Sequence, residues 1–210
     1  LVTTQGPISI RFYDAASAAS LTFPIGFYID RLSAVMMVLI SGIGTVIYAY
    51  SIGYMYQDPH EPRYLVLIGL ALFVLLCLVS SANLMMLFLF WQLLSFLLYL
   101  LAHNHTHAGT LEGAFKTFTL LRVGDVTFLA GIVLAYALYG TLEFPALFAK
   151  AAESSVTLSP LPGLDISGAT AVTLLLFIGG MSKSAQFPFH IWLPHYLYAP
   201  TPATALLHAG

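Results

Sequence analysis

A succession of long apolar windows, parted by short polar or Pro/Gly breaks, constrains this chain more than any other feature. A bilayer core about 30 Å thick takes about 20 mostly apolar residues per helix. Such windows run from Leu32 to Tyr54, Tyr64 to Ser80, Leu84 to Ala102 and Gly113 to Tyr139, and a fifth from Ala169 to Met181 continues toward Pro188. A sixth opens near Ala203 and is cut at Gly210. The expected architecture is an all-α, polytopic transmembrane helical bundle with five spans and a truncated sixth. Composition agrees: only 8% of residues are charged, against roughly 25% in a soluble domain, too few to coat a globule of 210 residues without large sticky patches. A net charge of -2 without a basic stripe excludes a nucleic-acid binder, which needs clustered Lys and Arg.

The breaks carry the rest of the organisation. Gln57-Asp58-Pro59-His60-Glu61-Pro62-Arg63 is too polar for lipid, and Ser81-Ala82-Asn83 makes the short turn that a helical hairpin needs. Residues 140–168 read as a long amphipathic connection, helical around Phe144 to Ala152. The fifth window passes through Ser182-Lys183-Ser184-Ala185-Gln186 to Phe187-Pro188, where proline removes a backbone donor and should break or kink the helix. Such a break stands inside a span only where neighbouring helices or a water-filled cavity satisfy the freed groups. Residues 1–30, with β-prone runs at Ile8–Phe12 and Leu21–Phe23, predict an extramembrane loop or hairpin ahead of a transmembrane part over 31–210. Arg11 and Arg31 against Arg63 are too few to decide topology. The opening at Leu1 has no signal-peptide pattern and Ala205 to Gly210 stops without a cap, so the chain reads as a piece of something longer. Cys77 stands alone, which rules out an internal disulfide or a thiolate cluster.

A charge at the bilayer centre costs at least about 2.5 to 3.5 kcal/mol on insertion scales, so intramembrane charges are functional candidates by default. Lys116, Arg122, Asp125 and Lys183 qualify. Arg122 and Asp125 are i, i+3 neighbours and can pair. Lys116 faces the other side of the same helix and either snorkels to the headgroups or needs a partner of its own. Burial penalises the ammonium form of lysine, which makes Lys183 beside a helix break a candidate proton relay. His208, in an apolar helix start, reads either as a satisfied polar residue or as a shuttle. His103, His105 and His107 alternate in a loop without the further ligands zinc requires, and read as a solvated interfacial loop. With no phosphate loop, nucleophile elbow, haem motif or Cys-rich pattern, neither a cofactor, a metal nor a redox or hydrolytic centre is expected.

Phe90-Trp91-Gln92, Ala114-Phe115-Lys116, Arg122-Val123-Gly124-Asp125-Val126, Lys183-Ser184-Ala185-Gln186-Phe187-Pro188, Trp192-Leu193-Pro194 and Pro200-Thr201-Pro202 through His208-Ala209 occur in that order. The series resembles the antiporter-like proton-translocating membrane subunits: the L subunit (chain 5) of NADH-quinone oxidoreductase, the large subunits of Mrp antiporters, and the membrane subunit of Dab inorganic-carbon transporters. The resemblance implies a multi-pass subunit of a bacterial inner membrane, partnered by other membrane subunits, protons and lipid, without its own redox centre. It makes Lys183 the central proton carrier and gives Asp125 and His208 polar roles along the path. Where the family pairs a glutamate with this lysine system, the chain has Gln92, which can hydrogen-bond but cannot ionise. That departure brings the Dab branch, and a non-pumping structural subunit, alongside the complex I reading.

Overall fold

The computed structural model describes residues 6–18, 21–102, 108–161, 164–196 and 199–209. His103, His105 and His107 lie outside them, as does the side chain of His208. Two antiparallel strands, β1 (Ile8–Ala18) and β2 (Leu21–Ile29), open the chain. α1 (Arg31–Tyr54) starts where Asp30 accepts from the Ser33 backbone N–H at 2.7 Å while the Ser33 hydroxyl oxygen accepts from the Asp30 N–H, a reciprocal cap. α2 (Glu61–Val79) follows with Pro62 in its first turn, where no N–H is missed. Then come α3 (Leu84–Ala102), α4 (Ala108–Tyr139) and α5 (Phe144–Glu153). A second hairpin, β3 (Thr157–Leu161) with β4 (Leu164–Ser167), leads into α6 (Gly168–Lys183). A 3-10 turn (Phe189–Trp192), α7 (Leu193–Tyr196) and α8 (Thr201–Ala209) complete it.

Among the described residues four helices, α1 to α4, are long and apolar enough to cross a membrane. Their outer faces carry Leu32, Val38, Val46 and Val66, each about 70% exposed, side chains that only lipid or another apolar surface would accept. The fifth window differs from the expectation of a full span. α6 has 16 residues, about 24 Å at 1.5 Å per residue, and the rest of the window is the break, the 3-10 turn and α7. The break does not come from Pro188. α6 ends at Lys183, with Ala185 in the left-handed region (φ 49°) and the Gln186 N–H returning to the Met181 carbonyl at 3.1 Å. That closes the helix as a Schellman motif with alanine where glycine is usual. Pro188 only starts the 3-10 turn. The connection over 140–168 contains the expected helix, α5, together with the β3–β4 hairpin, which the amphipathic reading did not anticipate.

Two buried clusters hold the elements together. In one, Tyr64, Ile68, Ala71 and Val74 of α2 meet Leu97 and Leu101 of α3, Trp192, Tyr196 and Ala203. In the other, Phe128, Ile132, Ala135 and Tyr139 of α4 meet Val172 of α6 and Leu147 of α5. Contact between α4 and α6 depends on missing side chains. A Cβ at Gly124 would collide with Ser182, and one at Gly179 would lie 2.6 Å from the Cβ of Phe128. At one end of the bundle Asn83, fully buried, donates to the Pro24 carbonyl at 2.7 Å and accepts from the Met86 N–H at 2.8 Å. One side chain thus caps α3 and ties the β1–β2 hairpin to the α2–α3 turn. Tyr28 N–H to Ser80 O and Phe144 N–H to Ala82 O extend that seam on both sides.

Candidate functional site

The site is assembled from α3, α4 and α6. Because α6 ends at Lys183, that lysine's side chain leaves the helix where the C-terminal carbonyls lack intrahelical donors, and it crosses to α3. Its Nζ donates to the Trp91 carbonyl at 2.7 Å and lies 4.2 Å from the centroid of the Trp91 ring. The same carbonyl accepts the Ser95 hydroxyl at 3.1 Å. The Trp91 indole N–H donates to Oδ1 of Asp125 on α4 at 2.7 Å. Asp125, 3% exposed, takes its ionic partner from its own helix: Arg122 Nη1 lies 3.2 Å from Oδ2. Arg122 also donates to the side-chain oxygen of Gln92 and sits 4.3 Å from the centroid of Phe118. The order across the site is therefore Lys183, Trp91, Asp125, Arg122, Gln92. Among the described residues Lys183 forms no ion pair, so a carbonyl and an aromatic face, rather than a carboxylate, receive its amine.

The indole is fixed in place by Phe128 of α4, whose ring stacks on it at 4.9 Å and 18°. Beyond the break, the Trp192 indole donates to the Ser182 carbonyl at 2.8 Å, satisfying one of the acceptors freed at the end of α6, and Thr117 of α4 donates to the Trp192 carbonyl at 3.3 Å. Lys183, Ser184, Trp91 and Trp192 border a cavity of about 530 Å³, lined elsewhere mainly by leucines including Leu98, Leu121 and Leu206. It has room for a file of waters and few polar groups to hold them apart from the lysine amine and Ser184. Arg122 Nε and Asp125 Oδ2 are buried with no hydrogen-bond partner among the described residues.

Of the sequence candidates, Lys183, Asp125, Arg122 and Gln92 therefore come together. Lys116 does not: it pairs with Glu112 at 2.6 Å, one turn away, on an exposed face of α4. Sequence reasoning overlooked Trp91. A tryptophan in the middle of a 19-residue apolar helix carries an N–H that needs a partner, and that requirement was the available signal.

Two family models match the chain. One, described as NADH:quinone oxidoreductase/Mrp antiporter, TM, covers residues 81–210. The other, described as NADH-ubiquinone oxidoreductase (complex I), chain 5 N-terminus, covers residues 16–65. A probable inorganic carbon transporter subunit of Halothiobacillus neapolitanus is 37% identical over 187 residues, 87% of this chain and 32% of its own. NADH-quinone oxidoreductase subunit L of Neisseria meningitidis is 37% identical over 202 residues, 94% of this chain and 30% of its own. The chain thus spans about a third of the length of the curated relatives it matches. In a solved structure of the Mrp complex from Dietzia sp., one chain superposes with a TM-score of 0.80 at 25% identity, covering 97% of this chain and 21% of that one. Four apolar spans and this likeness make the fold that of a polytopic helical membrane protein. With its broken helix and the match over residues 81–210, the chain belongs to the NADH:quinone oxidoreductase/Mrp antiporter transmembrane family.

Proposed function

We propose that the chain is the proton-conducting stretch of a membrane subunit that resembles the L subunit of NADH-quinone oxidoreductase, with Lys183 as the proton carrier. The observation that carries this reading is the placement of Lys183 at the end of a broken helix, beside a cavity and one residue removed from the buried Asp125, which pairs with the partly exposed Arg122. A lysine without an ion-pair partner among the described residues can gain and lose its proton without stranding a carboxylate in contact with it. Waters in the cavity would carry the proton to and from it. Asp125 and Arg122 supply fixed charge close by, and Gln92 orients Arg122 as a neutral acceptor. The protein works as one of several membrane subunits of a hetero-oligomeric complex, as the named relatives do. In vesicles containing the intact complex, Lys183→Ala abolishes proton flux while assembly is normal. Unchanged flux would refute the reading.

A second reading is supported by Gln92 and by the carbon-transporter relative: the subunit passes protons to drive uptake of dissolved inorganic carbon. Growth of a deletion strain at low carbon dioxide, with and without the gene, separates this from a respiratory role. A subunit that only supports its neighbours would show no change in flux or its pH dependence with Gln92→Glu.

A further inference from the structure

We infer that Trp91 is a positioning residue of the proton path, holding the Lys183 amine and the Asp125 carboxylate on different groups of one side chain and backbone so that the two do not close into a direct ion pair. This rests on the reading of Lys183 as the carrier. Three of its groups are in use at once: the carbonyl takes the amine at 2.7 Å, the ring face lies 4.2 Å from it, and the indole N–H takes Oδ1 of Asp125 at 2.7 Å. A tryptophan with one contact is a packing residue, whereas one that grips both members of a charge pair sets the distance between them. Its own position is determined from outside the pair, by the Phe128 stack and by Ser95 on the shared carbonyl.

The alternative arrangement has a clear physical cost. In a site walled by leucines, an ammonium and a carboxylate in contact attract strongly, and a carrier clamped in that way releases its proton only at much higher pH. The carbonyl and ring face stabilise the ammonium more weakly, at roughly 0.5 to 2 kcal/mol for the aromatic part. The charged groups facing the lysine are Asp125 and Arg122, both from α4. α3 presents the neutral Gln92. The other described side chains around the cavity, from α2, the 3-10 turn, α7 and α8, carry no titratable group. His190 of the 3-10 turn stacks on Phe187 and is exposed.

Trp91→Phe keeps a ring and the backbone carbonyl but removes the donor to Asp125, which frees the carboxylate to reach the amine. Proton flux against pH is measured for the intact complex in vesicles. The expected results are a fall of at least about ten-fold at neutral pH for Trp91→Phe, with its profile displaced by about one unit to higher pH. Phe128→Leu, which loosens the indole and removes no charge, gives a smaller displacement in the same direction. Lys183→Ala gives no flux at any pH. A uniform fall with an unmoved profile, or a profile superimposable on the wild type, marks Trp91 as structural and overturns the inference while leaving Lys183 as carrier. If Trp91→Phe fails to assemble, the Phe128→Leu profile decides on the same criteria. Flux that persists in Lys183→Ala overturns the carrier reading and this inference with it.

Discussion

Replacing Gly124 with alanine tests whether close contact between α4 and α6 is what sets the site. The added Cβ would meet both the Cβ and the Oγ of Ser182 and come within 3.4 Å of the Gly179 carbonyl. Ser182 cannot turn aside. It is fully buried, its hydroxyl donates to Gly179 O at 2.7 Å, and its carbonyl holds the Trp192 indole. The two helices must therefore separate. Overpacking of this kind costs about 1 to 3 kcal/mol, offset by about 1 kcal/mol because alanine favours a helix over glycine. Gly42→Ala in α1 measures that offset alone, since a Cβ there meets nothing within 4 Å. The expected ordering in thermal unfolding of the full-length protein in detergent is Gly42→Ala at or above wild type and Gly124→Ala about 1 to 3 kcal/mol below Gly42→Ala. Ser182→Gly in the Gly124→Ala background should recover most of the loss, a coupling between touching side chains. Lys183 is the next residue after Ser182, so the separation also draws its amine from the Trp91 carbonyl and lowers flux. If Gly124→Ala were as stable as Gly42→Ala, the packing argument would fail.

Three further outcomes follow from single contacts. Asn83→Ala removes a helix cap and takes a donor from the buried Pro24 carbonyl, at about 2 to 4 kcal/mol together, read as a lower unfolding temperature and faster proteolysis of the β1–β2 hairpin. Arg11→Ala breaks the 2.7 Å pair with Glu143 on the same seam, but the Arg11 side chain is 58% and the Glu143 side chain 38% exposed, so the share of the loss that comes from this pair stays under about 1 kcal/mol in the same assays. The Ser33 backbone N–H and hydroxyl hold the Asp30 carboxyl below its ordinary 3.8. A carboxyl lowered on folding contributes stability above its ordinary value and loses it as pH falls through the folded one. Asp30→Ala should therefore cost about 1 kcal/mol at neutral pH, and the gap to wild type should narrow in unfolding measured below pH 3.8.

Apolar window length was enough to locate α1 to α4, because a bilayer leaves few alternatives to a helix of about 20 residues. The end of α6 was harder to read. Pro188 attracts attention as a breaker, yet the helix ends five residues earlier, at Lys183, and closes on Ala185, a residue whose left-handed conformation no propensity scale anticipates. The β3–β4 hairpin was missed because its two strands, of five and four residues, show no clear alternation and Pro160 sits inside the first. Charge in lipid picked out Asp125, Arg122 and Lys183, which the structure brings together around Trp91. Lys116, picked out by the same criterion, lies outside that cluster and pairs with Glu112, one turn before it in the sequence. Trp91 could not be found by charge at all. Its part in the site lies in a carbonyl and an N–H, groups that every tryptophan has and only geometry puts to use.

With Lys183 as the proposed carrier, Gln92 changes what the cluster would do when the lysine gives up its proton. With the lysine protonated, Lys183, Arg122, Asp125 and Gln92 carry a net charge of about +1, and with it neutral they carry none, since the Arg122–Asp125 pair cancels. With a glutamate at position 92 the protonated cluster would be the neutral one and proton release would leave a net negative charge among leucines. Apolar surroundings favour whichever state carries least charge, so the amide biases this site toward release and a carboxylate would bias it toward retention. Gln92→Glu should accordingly move the flux profile of the intact complex to higher pH, with Arg122 now held by two carboxylates. An unmoved profile in a variant that still conducts would mean that Gln92 does not act on Lys183 through charge, and that its contact with Arg122 is structural.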